Sequence, residues 1–214
     1  MENSTKVWRH DVWNVCCLSI VISLVTAHLY SVDLSAFGTD DLGQDAIHIF
    51  HWLFRVFSTY LVLDTIYLVA VPGCVPAERM LIVFHHVITF MIILLAFFWN
   101  QYSWFLSLSL TVEVNTVTII FRRNTVKGTL AFKICDSLFL LTYVGQRLIM
   151  FPYLIYLFYN EWMRFTVEHA GGNYLNALLF APLLQTFITS LSYLYVFRII
   201  RKFFGYGKNK SNTD

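Results

Sequence analysis

Ionisable side chains interrupt several of the long apolar stretches in this sequence. The acid Asp64, the pair His85-His86 and the acid Glu113 occur in three successive stretches. An ionisable group in hydrocarbon is costly unless it is paired or hydrated, so each of them is a candidate for a functional site. A histidine beside carboxylates can serve as a general base or as the nucleophile in acyl transfer. We therefore predict a catalytic or ligand-binding site composed of Asp64, His85, His86 and Glu113.

A second set of polar residues is predicted to bind lipid. On a helix, Tyr60 and Tyr67 share the face of Asp64, at spacings of four and three residues. Arg147 suits an anionic headgroup or a phosphate, or alternatively a pairing with a buried acid. All of these side chains also fit a purely structural role, as interhelical hydrogen-bond partners that stabilise a bundle. The predicted lipid-binding residues are Arg147, Tyr60, Tyr67, Thr116 and Asp136.

No metal site is predicted. Adjacent residues of a helix point about 100° apart, so His85 and His86 cannot easily share one ion. The chain also lacks a C-x-x-C pair and a disulfide framework; its cysteines are Cys16, Cys17, Cys74 and Cys135.

The elements that carry these residues are six predicted transmembrane helices. Of the 214 residues, 57% are hydrophobic and 13% are charged, whereas a soluble domain has roughly 25% charged residues. Each apolar stretch is long enough to cross a hydrocarbon layer about 30 Å thick. The predicted fold class is therefore all-α, a polytopic membrane helical bundle with about six transmembrane helices and no separate soluble domain. The predicted spans are 12–30, 48–71, 80–99, 102–121, 134–159 and 174–200.

The distribution of cations predicts the orientation. When six helices are threaded, the lysines and arginines of the loops and termini fall on one side, except Arg164. By the positive-inside rule, both termini are then cytosolic. Residues 1–10 are predicted to be a short cytosolic N-terminus, 11–204 the transmembrane domain and 205–214 a basic cytosolic tail. The acids Asp64 and Glu113 and the pair His85-His86 are predicted to lie at one level, ~9–13 Å from the cytosolic ends of their helices.

In their order along the chain, several of these residues resemble the TLC domain family, and most closely the small TLC domain-containing proteins. The resemblance covers about residues 11–204, and 27 residues separate His86 from Glu113, which is similar to the spacing in the small members. Its carriers are Leu63-Asp64-Thr65 late in the second helix, Phe84-His85-His86 at the start of the third, Glu113 with Thr116 and Arg122 on the fourth, and Arg147 followed by Pro152 on the fifth.

The resemblance implies a multi-pass protein that binds a lipid or acyl chain and affects membrane lipid composition or homeostasis. It also implies the endoplasmic reticulum as the location, with the plasma membrane or Golgi as alternatives. Membrane lipids are the expected partners, no nucleic acid is expected, and the oligomeric state is left open.

An acyltransferase or lipid synthase is the first alternative function, because the family includes the ceramide synthases, which transfer an acyl group from acyl-CoA to a sphingoid amine. Acyl-CoA would then be a co-substrate, and no other cofactor is implied. This chain departs from the pattern His-Asp-x-x-Asp-x-x-Leu-Glu of those enzymes. With the final Glu placed on Glu113, the positions of His, Asp and Asp are taken by Phe105, Leu106 and Ser109. A trafficking or cargo protein is the second alternative.

Overall fold

The described part of the chain is almost entirely helical. The computed structural model describes residues 2–32, 43–75, 79–168, 171 and 173–206, and these residues include no strand. The predicted all-α fold class is therefore confirmed. The α-helices are α1 (Glu2–Ser31), α2 (Gln44–Ala70), α3 (Arg79–Phe98), α4 (Ser103–Leu110), α5 (Glu113–Asn124), α6 (Leu130–Thr142), α7 (Phe151–Glu168) and α8 (Phe180–Tyr206).

Within the described ranges, six helical segments are long and apolar enough to cross a membrane, as predicted. Their ends differ from the predicted ones. α1 begins at Glu2, so most of the predicted N-terminal segment 1–10 belongs to this helix. The fifth segment is helical over Leu130–Glu168, because a π-helical turn, Tyr143–Met150, joins α6 to α7. Of the predicted tail 205–214, residues 207–214 lie outside the described part of the chain.

The fourth segment is divided into α4 and α5. Here the backbone N–H groups of Thr111 and Val112 donate to carbonyls three residues earlier, so the turn is tighter than an α-helix. The side chain of Gln146 donates from Nε2 to the carbonyl of Thr111 at 2.8 Å. A side chain from a neighbouring segment thus hydrogen-bonds to a backbone group at the break, which is the usual way in which membrane helices tolerate one.

The chain divides into two compact units, the first ending at Gln146 and the second beginning at Arg147. In the first unit, α1 is the central helix and packs against α2, α4 and α5. Its apolar side chains recur every three or four residues, and Leu18, Val21 and Val25 are almost completely buried. Polar residues on the same face of α1 are therefore placed among several neighbouring helices. The remaining contacts in this unit join α2 to α3, α3 to α4, and α5 to α6.

The contact between α5 and α6 is largely polar. Asn115 donates from Nδ2 to the carbonyl of Phe139 at 3.2 Å and to Oγ1 of Thr142 at 3.0 Å. Hydroxyl and amide side chains commonly link helices in this way inside membranes. In the second unit α7 packs against α8, and both helices contribute apolar side chains that are buried, among them Leu154 and Ile188.

Candidate functional site

The carboxylate of Asp64 lies between two histidines in the interior of the first unit. Nε2 of His10 is 2.9 Å from Oδ1 of Asp64, and Nε2 of His86 is 3.7 Å from Oδ2. Asp64 is 2% exposed, and His10 and His86 are 4% and 8% exposed. Because an ionised carboxylate only accepts hydrogen bonds, this geometry assigns the ring proton of His10 to Nε2. Both imidazoles thus direct Nε2 toward one acid.

Three further polar side chains complete this arrangement. Asn14 lies with Nδ2 3.3 Å from the ring nitrogens of His10, and the hydroxyl of Tyr60 donates to Oδ1 of Asn14 at 3.0 Å. Oγ1 of Thr65 is 3.1 Å from Nδ1 of His86. We refer to these residues together as the Asp64 cluster, and its members are Asp64, His10, His86, Asn14, Tyr60 and Thr65.

Helix geometry explains why these residues meet. His10 and Asn14 are four residues apart on α1, and Tyr60 and Asp64 are four residues apart on α2, so each pair occupies one helix face. Asp64 lies six residues before the end of α2, and His86 lies seven residues after the start of α3. At 1.5 Å per residue, both are ~9–10 Å from those helix ends.

The cluster lies near one end of the first unit, where α1, α3 and α6 begin and α2 and α5 end. We refer to it as the basic end, because Arg79, Arg122 and Arg123 lie there. Arg123 forms an ion pair with Asp11, in which Nε donates to Oδ2 at 3.1 Å. Asn124 donates to the same carboxylate at 2.7 Å. Asp11 is 2% exposed, so α5 supplies the donors that neutralise a buried acid next to His10.

Of the residues predicted to be catalytic, Asp64 and His86 are brought together. His85 is only half-buried, and its ring centre is 6.1 Å from that of His86. Glu113 is buried as the first residue of α5. Between it and Arg123, α5 rises by about 15 Å. The sequence placed Glu113 at the level of Asp64. In the structure, Glu113 lies farther from the basic end than Asp64 does. The catalytic role of all four residues stays a prediction.

The residues predicted to bind lipid are distributed over several places. Tyr60 belongs to the Asp64 cluster, and the ring of Tyr67 stacks on that of His10, with the centres 5.5 Å apart. Thr116 is half-buried on α5. Asp136 forms an ion pair with Arg122, whose guanidinium also lies over two rings of α6, those of Phe132 and Phe139.

Arg147 belongs to the second unit. It lies in the π-helical turn, and its Nη1 donates to Oγ of Ser192 at 3.5 Å. Ser192 is buried and donates in turn to the carbonyl of Ile188 at 3.3 Å. Tyr193, the next residue, donates to the carbonyl of Leu148 at 3.1 Å. Within the second unit, Arg147 and Leu148 are thus joined to α8 by polar contacts, and the lipid-binding role of Arg147 stays a prediction.

Another buried histidine, His28, lies on α1 far from the Asp64 cluster. His28 is 0% exposed, with Nδ1 2.7 Å from Oγ of Ser107 and Nε2 3.4 Å from Oγ of Ser103. Both of its ring nitrogens therefore face hydroxyls of α4. Eighteen residues, or about 27 Å of helix, separate His28 from His10. This arrangement links two helices and has no acid among its hydrogen-bond partners in the described residues.

Sequence reasoning missed His10, Asn14 and Asp11 as members of a polar centre. The predicted first span began at residue 12, so His10 was assigned to the cytosolic terminus and Asp11 lay just before the span. One signal was present: polar residues at positions 10 and 14 share a helix face with the apolar series that continues at Leu18. Their partners, however, come from α2 and α5, and no local pattern identifies those helices.

Several chemical roles are compatible with the Asp64 cluster. A buried acid that orients an imidazole is the arrangement used by histidine bases. The cluster also offers both donors and acceptors to a headgroup. In the described residues, no group of three or more His, Cys, Asp or Glu is arranged to hold a metal ion.

Cys74, in the loop after α2, is fully buried, and burial raises the pKa of its thiol.

Comparisons with known proteins do not assign this chain to a family. No protein-family model, no curated protein and no solved structure matches it. What is established is that the described residues form an all-α structure with six helical segments able to cross a membrane, consistent with a multi-pass membrane protein.

Proposed function

We propose that this protein binds a lipid or acyl chain at the Asp64 cluster and thereby influences membrane lipid composition. The observation that carries the proposal is Asp64 itself, an almost fully buried acid that faces imidazoles from two other helices. Ionisable groups inside a membrane segment are costly. The other buried aspartate of this unit, Asp11, is paired with the guanidinium of Arg123, whereas the ionisable partners of Asp64 among the described residues are two imidazoles. A group of three ionisable residues therefore suggests a role beyond linking helices.

The resemblance to the small TLC domain-containing proteins supports the same proposal. Among the residues that carry it, Asp64 and His86 come from different helices and lie next to each other. In this proposal the protein resides in the endoplasmic reticulum membrane and the basic end faces the cytosol. A headgroup would then reach the Asp64 cluster from the cytosolic leaflet.

A His-dependent acyltransferase or lipid synthase is the second candidate. The observation that favours it is the ring of His86, which has Thr65 at Nδ1 and the carboxylate of Asp64 near Nε2. In this candidate His86 is the base and Asp64 orients it, with acyl-CoA as co-substrate. Incubation of the purified protein with labelled acyl-CoA and a total lipid extract would reveal acyl transfer that His86→Ala abolishes.

Lipidomics with matched variants tests the main proposal. Cells lacking the protein receive the wild type, His86→Ala or His85→Ala at equal abundance, and their lipids are measured without preselection. His85→Ala is the matched control, because the two histidines are adjacent on α3 but only His86 faces Asp64.

We expect wild type and His85→Ala to restore one lipid class and His86→Ala to leave it altered. If His86→Ala restores the lipids as well as wild type does, the Asp64 cluster is not a lipid site. A trafficking or scaffold role would then be favoured, and the cluster would act only in stability.

A further inference from the structure

The hydroxyl of Thr89 has no hydrogen-bond partner among the described residues, although the residue is only 8% exposed. Threonines in helices normally donate to the carbonyl one turn earlier. In this chain Thr26, Thr142, Thr186 and Thr189 do so, at 2.7 to 2.9 Å. A buried hydroxyl without a partner destabilises the folded protein, because it has lost its hydrogen bonds to water and has not replaced them. Thr89 is therefore suited to a partner that the chain itself does not supply.

The position of Thr89 relates it to the Asp64 cluster. It lies three residues after His86, on the same face of α3 and about 4.5 Å farther along the helix. Beyond Thr89, that side of α3 carries the buried apolar residues Ile92, Ile93 and Ala96. An ordered water is a poor partner here, because a buried water needs two to four polar neighbours. From the basic end inward, this face of α3 therefore carries the imidazole of His86, then the hydroxyl of Thr89, and then apolar side chains.

This order matches that of a membrane lipid with an acyl linkage. Its polar head is followed, deeper in the membrane, by an ester or amide carbonyl, and then by the hydrocarbon chain. A carbonyl oxygen accepts the hydrogen bond that a threonine hydroxyl donates. We infer that Thr89 binds the carbonyl oxygen of an ester- or amide-linked acyl chain whose head lies at the Asp64 cluster. This inference rests on the proposed function and adds the chemical class of the ligand.

Retained lipid tests the inference. Wild type, Thr89→Val, Thr89→Ser and His86→Ala are purified in one mild detergent, and the lipid retained per protein is identified by mass spectrometry. Thr89→Val keeps the shape and removes the hydroxyl, while Thr89→Ser keeps the hydroxyl. Thr118→Val is the control for a hydroxyl that does have partners, the carbonyl of Asn115 and Oγ1 of Thr142.

We expect wild type, Thr89→Ser and Thr118→Val to retain an ester- or amide-linked lipid. Thr89→Val should retain about 2- to 10-fold less, the effect of one neutral hydrogen bond. Its melting temperature should equal or exceed that of wild type, because no bond within the protein is lost, whereas that of Thr118→Val should fall.

Three results would overturn the inference: wild-type levels of lipid on Thr89→Val, a lower melting temperature for that variant, or retention by wild type of a lipid without an ester or amide carbonyl. Failure of the proposed function is separately visible. If His86→Ala retains as much lipid as wild type, the Asp64 cluster is not the headgroup site. If His86→Ala loses the lipid while Thr89→Val keeps it, only the role of Thr89 is refuted.

Discussion

Replacing His10 by leucine should destabilise the protein, because it removes the closest hydrogen-bond donor of a buried carboxylate. A hydrogen bond to a charged group contributes about 1.5–3 kcal/mol in proteins, while polar pairs between membrane helices reach about 1.7 kcal/mol. Asp64 would retain only His86, whose Nε2 is 3.7 Å away. We therefore expect His10→Leu to lower the free energy of unfolding by about 2 kcal/mol.

Unfolding by SDS in mixed micelles, followed by tryptophan fluorescence, gives the measurement, and the chain has six tryptophans. His48→Leu is the control, because His48 is exposed on α2, and its effect should stay within about 0.5 kcal/mol. Combining His10→Leu with Asp64→Asn should give less than the sum of the single effects, with a coupling of about 1 kcal/mol. Strict additivity, or an effect of His10→Leu no larger than that of His48→Leu, would refute the hydrogen bond as a stabilising interaction.

Three further predictions follow from buried polar groups. Arg123→Gln should lower the melting temperature in detergent, by an amount equivalent to about 1–2 kcal/mol, because the buried Asp11 loses its guanidinium; an unchanged transition would show that the ion pair is dispensable. Asn115→Leu should destabilise the protein by about 1 kcal/mol, because it removes hydrogen bonds between α5 and α6, and Thr116→Val should destabilise it by less. Equal melting temperatures for the two variants would contradict a stabilising polar contact between α5 and α6. In a variant with Cys74 as its single cysteine, a water-soluble maleimide should react slowly until SDS unfolds the protein. The raised pKa leaves little thiolate at neutral pH. The labelling rate of Cys74 should therefore continue to increase with pH in a range where the labelling rate of an exposed thiol has become constant. Labelling of the folded protein at the rate of the unfolded one would contradict the burial of this thiol.

The membrane-spanning fold is readable from the sequence because hydropathy and helix length act locally. Six apolar stretches of sufficient length predict six helices, and the structure contains them. α1 begins at Glu2, before the predicted first span at residue 12, and there is a physical reason for the difference. Polar residues such as His10 and Asp11 signal water when viewed alone, yet here each is satisfied by a side chain from another helix. Such compensation depends on tertiary packing, and hydropathy does not register it.

The break between α4 and α5 was likewise not predictable from the local sequence. The tight turn at Thr111 contains no glycine or proline that would require it, whereas the π-helical turn contains Gly145 and is followed by Pro152, residue types that can interrupt an α-helix. The break at Thr111 is stabilised by Gln146, which lies 35 residues later in the chain. Local propensity therefore could not predict it.

The candidate site was predictable in part. Counting residues from the helix ends places Asp64 and His86 at one level, and the two residues do lie together. The same counting placed Glu113 too near the helix end, because α5 extends to Asn124 rather than ending near residue 121. Which of the adjacent histidines faces Asp64 depends on the rotation of α3, which the sequence does not specify.

Photocrosslinking tests the central claim most directly, namely that the Asp64 cluster is a lipid site. Cells expressing the protein are fed a clickable fatty acid with a diazirine, which they incorporate into their lipids, and crosslinked peptides are identified after irradiation. We predict crosslinks to segments of α2 and α3 that include Asp64 and His86, lost in His86→Ala and retained in His85→Ala. Crosslinks spread evenly over the exposed faces of the helices, and unchanged in His86→Ala, would contradict the claim.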